Sequence, residues 1–303
     1  MMKMTEFYDK IRRILPDLEI VANELMSKHT SFRIGGPAAI MAFPKSGEEL
    51  SNLLKQSGLM DIKTVILGAG TNVLAPDEGM DSLVICLKDC MGGMEQLDDT
   101  HIRVAAGVTM TRAALFAAGL GLSGLEFAHG IPGTVGGGIY MNAGACGGEI
   151  CQVCTQVDVM DRKGNFRTLT AEQMEFSYRH SVLEESDDIV LSGVFALTPA
   201  PEAEIRGKMQ ELMKKRSASQ PLDLPSAGSA FKRPVGGYAA ALIDQAGLRG
   251  FQIGGAAISQ KHAGFAVNLG GATADDVKKL LSEVSNIVFE RSGIRLEPEV
   301  RIW

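Results

Sequence analysis

The stretch HGIPGTVGGGIYMNAGACGGE, residues 129–149, contains eight glycines between residues 130 and 148, with apolar residues between them. A flexible glycine-rich linker usually carries polar spacers, whereas this stretch carries Ile131, Val135 and Ile139. Missing side chains allow another backbone or a ligand to come close, and successive backbone N–H groups form concave nests that bind anions. The stretch therefore predicts a packed glycine loop that serves either tight turns or a phosphate site.

A second glycine turn follows a predicted strand in KTVILGAGTNVL, residues 63–74. The dinucleotide-binding fingerprint needs a third glycine where its helix packs on the strand. Val73 occupies that position, and Leu74 and Pro76 follow it. The pattern predicts a strand that ends in a phosphate-binding turn, without the helix of a Rossmann fold.

Composition and charge exclude several classes of protein. The chain has 303 residues, 45% of them hydrophobic, which is typical of a globular protein of two or three domains. Its net charge is −6 and no basic run stands out, so a nucleic-acid partner is not expected. The most apolar stretch, residues 113–128, is too short and too often interrupted for a membrane span. We expect a cytoplasmic protein with no membrane partner; the oligomeric state stays open, and a monomer is compatible with the sequence.

The five cysteines do not form a disulfide framework. Cys151 and Cys154 have the spacing of half a zinc site or of a redox pair, but no second pair or nearby histidine completes such a site. Cys86, Cys90 and Cys146 are isolated. We expect buried reduced thiols and no metal site.

The remaining patterns predict an α+β fold in two parts. Strands are predicted over residues 82–87, 101–105, 153–160 and 189–197, and helices over residues 47–57, 109–118 and 203–217. The segment QPLDLP, residues 220–225, interrupts regular structure and divides a front module from a back module. In the back module a capping box at Thr273 and Asp276 opens a helix that ends near Gly293, and residues 295–303 predict a terminal strand.

Three polar positions are candidates for chemistry. Ser229 lies in PSAGSAFKRP beside two cations, where it is either a turn residue or a hydroxyl that donates to a bound anion. Arg179 follows Tyr178 in FSYRHS, and its planar fork either binds a carboxylate or covers apolar neighbours. Glu299 lies in LEPEVRI, where alternation gives it a solvated face unless that face closes on a pocket.

Seven motifs, in order over nearly the whole chain, carry a resemblance to a known family. They are TSFRIGGPA (30–38), LGAGTNVL (67–74), GIPGTVGGGIYMNAGACGGE (130–149), SYRHS (177–181), QPLDLPSAGSAFKRP (220–234), AGLRGFQIGGAAISQKHAGFAVN (246–268) and LEPEVRIW (296–303). Together they resemble the UDP-N-acetylenolpyruvoylglucosamine reductase family, also called UDP-N-acetylmuramate dehydrogenases. The short segment between Arg179 and the strand at 189 resembles the subgroup that lacks an inserted substrate-covering loop.

The resemblance implies a fold and a cofactor. It implies a two-subdomain FAD-binding module of the vanillyl-alcohol-oxidase type over residues 1–95 and 96–218. A smaller α+β substrate-binding domain over residues 219–303 would follow, with a C-terminal strand that returns to the active site. FAD would be bound without a covalent link, although His129 and Cys146 lie near its loop. The residues implied to line FAD are Ala69, Gly70, Thr71, Asn72, Ile131, Gly133, Thr134, Gly136, Gly137, Gly138, Asn142, Ala143 and Gly144.

The resemblance also implies a reaction in peptidoglycan precursor synthesis. NADPH would reduce the flavin, which would pass hydride to the vinyl carbon of UDP-N-acetylglucosamine enolpyruvate. Arg179 matches the arginine at the substrate carboxylate, Ser229 the proton donor and Glu299 the catalytic glutamate. Residues implied to contact the substrate are Tyr178, Gln220, Lys232, Arg233 and His262; the family usually has Asn where Arg233 stands.

Two alternative functions compete with this one. The same FAD module serves oxidases of alcohols and hydroxy acids, and fold alone does not give function. Such an oxidase has no need of Ser229 as a proton donor or of a nucleotide-sugar site. A binding protein that retained the fold and lost the chemistry would have no need of Arg179, Ser229 and Glu299 together.

Overall fold

A computed structural model describes residues 2–303; Met1, at which the first predicted domain begins, lies outside the described residues. The helices are α1 (Met2–Ile14), α2 (Gly47–Leu59), α3 (Met110–Gly119), α4 (Val135–Tyr140), α5 (Leu183–Ser186), α6 (Glu202–Ser219), α7 (Ala239–Gln245) and α8 (Ala274–Ser292). The strands are β1 (Glu19–Leu25), β2 (Pro37–Phe43), β3 (Thr64–Leu67), β4 (Val73–Leu74), β5 (Met80–Cys86), β6 (Met94–Gln96), β7 (His101–Ala105), β8 (Leu122–Ser123), β9 (Gly144–Ala145), β10 (Gly148–Glu149), β11 (Cys154–Met160), β12 (Phe166–Thr170), β13 (Ile189–Ala196), β14 (Thr198–Pro199), β15 (Ser226–Ser229), β16 (Gln252–Ile253), β17 (Ala256–Ile258), β18 (Phe265–Asn268) and β19 (Arg301–Ile302). Within residues 2–303, no helix has the length and apolar content needed to span a membrane.

Most of the elements predicted from local pattern are confirmed. The predicted helices correspond to α2, α3, α6 and α8, and the predicted strands to β3, β5, β7, β11 and β13. Their starts follow capping chemistry, because Ser46 and Thr109 accept hydrogen bonds from backbone N–H groups of the first turns of α2 and α3. At α8 both halves of the Thr273–Asp276 capping box form.

The chain forms two compact units, each built from several segments. The first unit comprises residues 1–22, 39–69 and 81–214, and the second comprises residues 23–38, 70–80 and 215–303. The division into domains at residues 95 and 218 stays a prediction.

The first unit contains two sheets, each with its own apolar core. The first sheet has the order β1-β2-β5-β3, with β3 parallel to β5. Side chains of α1 and α2, such as Phe7 and Leu50, are fully buried in its core. The second sheet is antiparallel, in the order β12-β11-β13-β7-β6, and the alternating Ile102 and Val104 of β7 are fully buried in a second core. Burial of every other residue explains why period-two patterns located these strands.

The second unit is built on a four-stranded antiparallel sheet and a long helix. The sheet has the order β15-β18-β17-β16. Helix α8 buries Val277, Leu280, Leu281, Val284 and Val288, at the spacing of one helical face. Strand β19 pairs in parallel with β4, with Arg301 opposite Val73.

The predicted terminal strand over residues 295–303 is largely wrong. Only residues 301 and 302 are in a strand, and Ile302 is 48% exposed although alternation assigned it to the buried face. Pro298 lacks a backbone N–H and so weakens strand pairing, and an isolated bridge joins it to Phe231. Leu296 and Val300 are buried as expected.

A buried carboxylate joins the segment at the end of β8 to helix α6. Glu126 is 3% exposed and accepts hydrogen bonds from Ser123 Oγ at 2.6 Å and Gly124 N at 2.8 Å, while Lys208 Nζ lies 3.7 Å away. Burial acts to raise the pKa of Glu126, but the hydrogen bonds and the Lys208 charge outweigh it, so the pKa lies below its ordinary value.

We expect Glu126→Gln to lower the free energy of unfolding at neutral pH by about 1 kcal/mol, the difference between charge-assisted and neutral hydrogen bonds. The folded-state pKa is depressed, so this stabilisation is present above the unfolded value of 4.5 and is lost as pH falls through the folded value. Urea unfolding of both proteins from pH 7 to pH 3 measures the difference, with the exposed Glu172→Gln as control. If the difference in free energy of unfolding between the two proteins does not decrease at low pH, the prediction is wrong.

Candidate active site

The glycine-rich stretch contains a short helix that the sequence pattern did not predict. Thr134 precedes α4, and its Oγ1 accepts a hydrogen bond from Gly137 N at 3.3 Å. The N–H groups of Val135 and Gly136 donate to the carbonyls of Val108 and Ala106, at 2.8 and 2.9 Å. The protein itself therefore satisfies these two N–H groups, so they are not open to an anion.

Close packing explains several glycines of this stretch. A Cβ on Gly136 would lie 2.9 Å from Ala106 Cβ, and one on Gly138 would lie 2.8 Å from Met110 Sδ. A Cβ on Gly148 would lie 2.5 Å from the Phe127 ring. Gly137 differs, since the nearest atom to its Cβ would be Thr134 Oγ1 at 3.5 Å, an ordinary contact. Gly137 thus leaves room for a ligand that the other three do not.

The other predicted cofactor residues of this stretch have identifiable contacts. Ile131 N donates to Ala128 O, Gly133 O accepts from Met110 N, and Ala143 N donates to Gly138 O at 2.7 Å. Asn142 is 1% exposed and has a positive φ of 41°, which asparagine tolerates better than most residues. Ile131 and Ala143 pack against the second core of the first unit.

Arg179 lies in a four-residue turn. Ser177 and His180 exchange backbone hydrogen bonds at 3.1 and 3.2 Å, which places Tyr178 and Arg179 at the tip. Arg179 has φ +57°, a left-handed conformation that most side chains disfavour by about 1–2 kcal/mol. Its Nη2 donates to Gly144 O at 3.1 Å, and its guanidinium lies 5.0 Å from the Tyr178 ring centre. The structure therefore brings Arg179 against the predicted cofactor stretch.

The turn that follows β3 has the backbone geometry of an anion site. Gly70 has φ +61°, and a Cβ there would lie 2.1 Å from His29 O, so a larger residue does not fit. Among residues 2–303 none accepts a hydrogen bond from the backbone N–H of Gly70 or Thr71. Unpaired N–H groups in such a turn suit a phosphate. Asn72 Nδ2 donates to Glu299 O at 3.2 Å.

Ser229 is presented to solvent by a bulge in β15. Pairing with β18 shifts between Ser226 and Ser229, and Gly228 between them has φ +77°. Bulges commonly redirect a side chain beside a functional site. Ser229 is exposed, while Ala230 and Phe231 after it are buried. The sequence suggested a tight turn here, and the structure shows the end of a bulged strand.

Backbone hydrogen bonds hold Glu299 beside the Ser229 strand. Glu299 N donates to Ala230 O at 3.0 Å, and Arg301 N donates to Asn72 O at 3.0 Å. The second unit thus brings Asn72, Ser229 and Glu299 together from three distant parts of the chain. Sequence alternation could not show this, because the contacts lie outside a regular strand.

The predicted substrate cations each have a partner within the second unit. Lys232 Nζ donates to Glu297 Oε1 at 2.5 Å. The Arg233 guanidinium lies 4.0 Å from the ring centre of Tyr238, which is 60% exposed. Tyr238 was not among the residues predicted from sequence; the available signal was its position after Gly236 and Gly237, in a loop that leaves Val235 fully exposed.

Gln220 and His262 differ in whether their side-chain polar atoms have hydrogen-bond partners within the described residues. Gln220 Oε1 is buried and has no hydrogen-bond partner among the described residues. His262 Nδ1 accepts from Gly264 N at 3.1 Å, and its ring packs edge-on against Phe265. Burial and then the charge of Arg249 lower the pKa of His262, so the ring is neutral near pH 7.

The expectation of buried thiols is partly wrong. Cys86 and Cys154 are buried, and burial raises their pKa values to about 11 and about 12. Cys146 and Cys151 are exposed. Within residues 2–303 no cluster of three or more His, Cys, Asp or Glu side chains is arranged to hold a metal ion.

Two family models match the chain, and they define its class. Residues 38–170 match the model described as "FAD binding domain". Residues 220–303 match "UDP-N-acetylenolpyruvoylglucosamine reductase, C-terminal domain". The predicted α+β fold, an FAD-binding module followed by a smaller domain, is confirmed, and the chain is an FAD-dependent oxidoreductase.

Full-length relatives identify the family. The chain is 44% identical to a UDP-N-acetylenolpyruvoylglucosamine reductase of Caldanaerobacter subterraneus subsp. tengcongensis, over 97% of each chain. It is 44% identical to the reductase of Agathobacter rectalis, over 98% of each. The crystal structure of the reductase from Thermus caldophilus is similar at a TM-score of 0.79 and 36% identity, covering 94% of this chain and 98% of that one. The chain belongs to the UDP-N-acetylenolpyruvoylglucosamine reductase family.

The left-handed backbone of Arg179 gives a prediction about stability. We expect Arg179→Gly to be more stable than Arg179→Ala by about 1 kcal/mol, because both lose the guanidinium but glycine alone adopts φ +57° without strain. At Arg206, inside α6, the Ala variant should instead be more stable than the Gly variant by about 1 kcal/mol. Urea unfolding of the four variants measures both differences. An Ala variant at 179 as stable as the Gly variant would show that the turn relaxes without the side chain.

Proposed function

We propose that this chain uses FAD to reduce the enolpyruvyl ether of UDP-N-acetylglucosamine to UDP-N-acetylmuramate, with NADPH as the source of hydride. The observation that carries the proposal is the 44% identity to reductases of this name over 97% of both chains. The approach of the Ser229 and Glu299 segments within the second unit supports it. Synthesis of this product supplies cell-wall peptidoglycan, and so cell shape and division, which fits an enzyme of the cytoplasm.

The glycine-lined segments fit FAD. The unpaired N–H groups of Gly70 and Thr71, with Asn72, suit its diphosphate, and Ala69 precedes them. Gly137, with space at its Cβ position, and the apolar Ile131 and Ala143 suit a flat ring. When bound, the flavin supplies the means to take hydride from reduced nicotinamide and give it to the vinyl carbon of the substrate.

The chain's own residues would then stabilise and protonate the reacting group. Negative charge develops on the carbon next to the substrate carboxylate, and a fixed guanidinium at that carboxylate stabilises the charged state more than the ground state. We assign this role to Arg179, whose turn and Gly144 contact fix its head group. Ser229 Oγ would deliver the proton, and Glu299 would act beside the same carboxylate.

Charged and polar side chains of the second unit would hold the nucleotide diphosphate and sugar. Lys232 and Arg233 are the cations of this set, and their present partners, the exposed Glu297 and the Tyr238 ring, lie on the surface. The buried Oε1 of Gln220 lacks a partner among the described residues and would accept from a ligand donor. His262 and Tyr178 complete the proposed contacts.

A flavin spectrum tests the proposal in two steps. The purified protein should be yellow, lose its colour with NADPH under anaerobic conditions, and regain it on addition of UDP-N-acetylglucosamine enolpyruvate. Formation of UDP-N-acetylmuramate should match the substrate consumed. Bleaching by an alcohol or a hydroxy acid in the absence of NADPH would instead favour the oxidase alternative.

Replacement of Ser229 by Ala should slow recolouring by about 10²- to 10⁴-fold, the usual contribution of a general acid. The bleaching step needs no proton from Ser229 and should change by less than about twofold on the same reasoning. Stopped-flow absorbance measures both steps, and the exposed Ser292→Ala at the end of α8 is the matched control. Equal losses in both steps would remove the proton-donor role.

Replacement of Gly70 by Ala should weaken FAD binding about tenfold or more. The added Cβ would lie 2.1 Å from the His29 carbonyl oxygen, and the residue has φ +61°. The turn must therefore move to relieve about 1–3 kcal/mol of strain. Fluorescence titration of apoprotein with FAD measures the change. Gly207→Ala, inside α6 with no atom within 4 Å of the new Cβ, is the control. Unchanged affinity at Gly70→Ala would exclude this turn from the FAD site.

A further inference from the structure

We propose that Asn142 is a positioning residue for Arg179: its side chain ties the glycine-rich stretch to the base of the Arg179 turn. The resemblance to the family assigns Asn142 to the cofactor, whereas its contacts point to this second role. The inference rests on the proposed function, because it gives Asn142 a part in how the arginine meets the substrate carboxylate.

The hydrogen bonds of Asn142 reach the Arg179 turn at Ser177 and the segment that contains Glu149 and Cys151. Asn142 Nδ2 donates to Ser177 O at 2.9 Å and to Glu149 Oε2 at 3.3 Å, and its Oδ1 accepts from Cys151 N at 2.9 Å. The partners fix the orientation of the amide, since a flipped amide would set its NH₂ against the N–H of Cys151.

Burial leaves this side chain little capacity for a cofactor. Asn142 is 1% exposed, and both hydrogens of its Nδ2 have acceptors within the protein. An amide carries two donor hydrogens and one acceptor oxygen, so its donors are fully used. The positive φ of 41° shows in addition that the backbone is held in a sparsely populated conformation to place this side chain.

A short path of contacts leads from Asn142 to the guanidinium. Ser177, whose carbonyl Asn142 binds, closes the turn by exchanging backbone hydrogen bonds with His180. Two residues beyond Asn142, the Gly144 carbonyl accepts from Arg179 Nη2 at 3.1 Å. Asn142 therefore joins the turn that carries Arg179 to the loop that orients its head group.

A second contact restrains the position of the residue that follows the turn. Ser181, which is fully buried, donates from Oγ to Tyr140 O at 2.7 Å. Without Asn142 the turn would stay attached through Ser181 but could pivot about it. The expected result is a folded protein in which Arg179 is present but poorly aimed, a displacement that commonly reduces rates by 10- to 100-fold, as an order of magnitude.

A double-mutant cycle tests the proposal. Asn142→Gly removes the side chain and suits the positive φ, Arg179→Asn removes the guanidinium and tolerates its left-handed backbone, and the third protein carries both changes. Rates of bleaching by NADPH and of recolouring by UDP-N-acetylglucosamine enolpyruvate are measured at saturating FAD. Asn23→Gly, an exposed asparagine with φ 54°, is the matched control.

We expect Asn142→Gly to slow recolouring roughly 10- to 100-fold, with bleaching and FAD affinity changed less than about threefold. In the Arg179→Asn background, the same substitution should have little further effect, because its target is already absent. Independent losses that multiply would overturn the proposal, as would an Asn142→Gly protein that loses FAD, which would return the residue to the cofactor site.

A second variant covers a failure of Asn142→Gly to fold. Asn142→Asp keeps the acceptor for Cys151 N but loses both donors and places a carboxylate against Glu149. Asn142→Asp should slow recolouring at least as much as Asn142→Gly is expected to. Unchanged recolouring would overturn the proposal. Wild-type protein that bleaches and does not recolour with the substrate would instead contradict the proposed function, so the two failures are distinguishable.

Discussion

The close backbone approach between residues 106–110 and 133–136 is the constraint on which the site in the first unit depends. Val135 and Gly136 donate to the carbonyls of Val108 and Ala106, and a Cβ on Gly136 would lie 2.9 Å from Ala106 Cβ. These contacts require bare backbone, and they fix the start of α4. From α4 the chain runs into the loop that holds Arg179.

Several residues of the proposed site have left-handed backbone conformations, which also occur elsewhere in residues 2–303. Arg179, Asn142 and Cys146 have positive φ values in the first unit, and Gly70 and Gly228 have them in the second. Non-glycine residues persist in such conformations only when surrounding contacts hold them. Asn142 shows how this is done, with three hydrogen bonds from a side chain that is 1% exposed.

Prediction from sequence succeeded where the deciding interactions are local. Period-two burial located β7, and capping side chains located the starts of α3 and α8. It failed at residues 295–303, where Pro298 interrupts pairing and bonds to Ala230 and Asn72 replace a regular ladder. In the candidate site, Arg179, Ser229 and Glu299 could be singled out by residue type. Their roles came from resemblance and stay proposals.

The sequence by itself determined the family and nine of the regular elements, four helices and five strands. Seven motifs in order identify the family. Hydrophobic periodicity and capping residues identify the elements, because these signals depend on residues that are neighbours along the chain. Only the tertiary structure decided which N–H groups of the glycine stretch are already bonded, that a bulge at Gly228 exposes Ser229, and that Asn142 binds the Arg179 turn. The deciding contacts join residues 27 or more positions apart, as from Val108 to Val135 or from Asn142 to Ser177, and no local pattern encodes their approach.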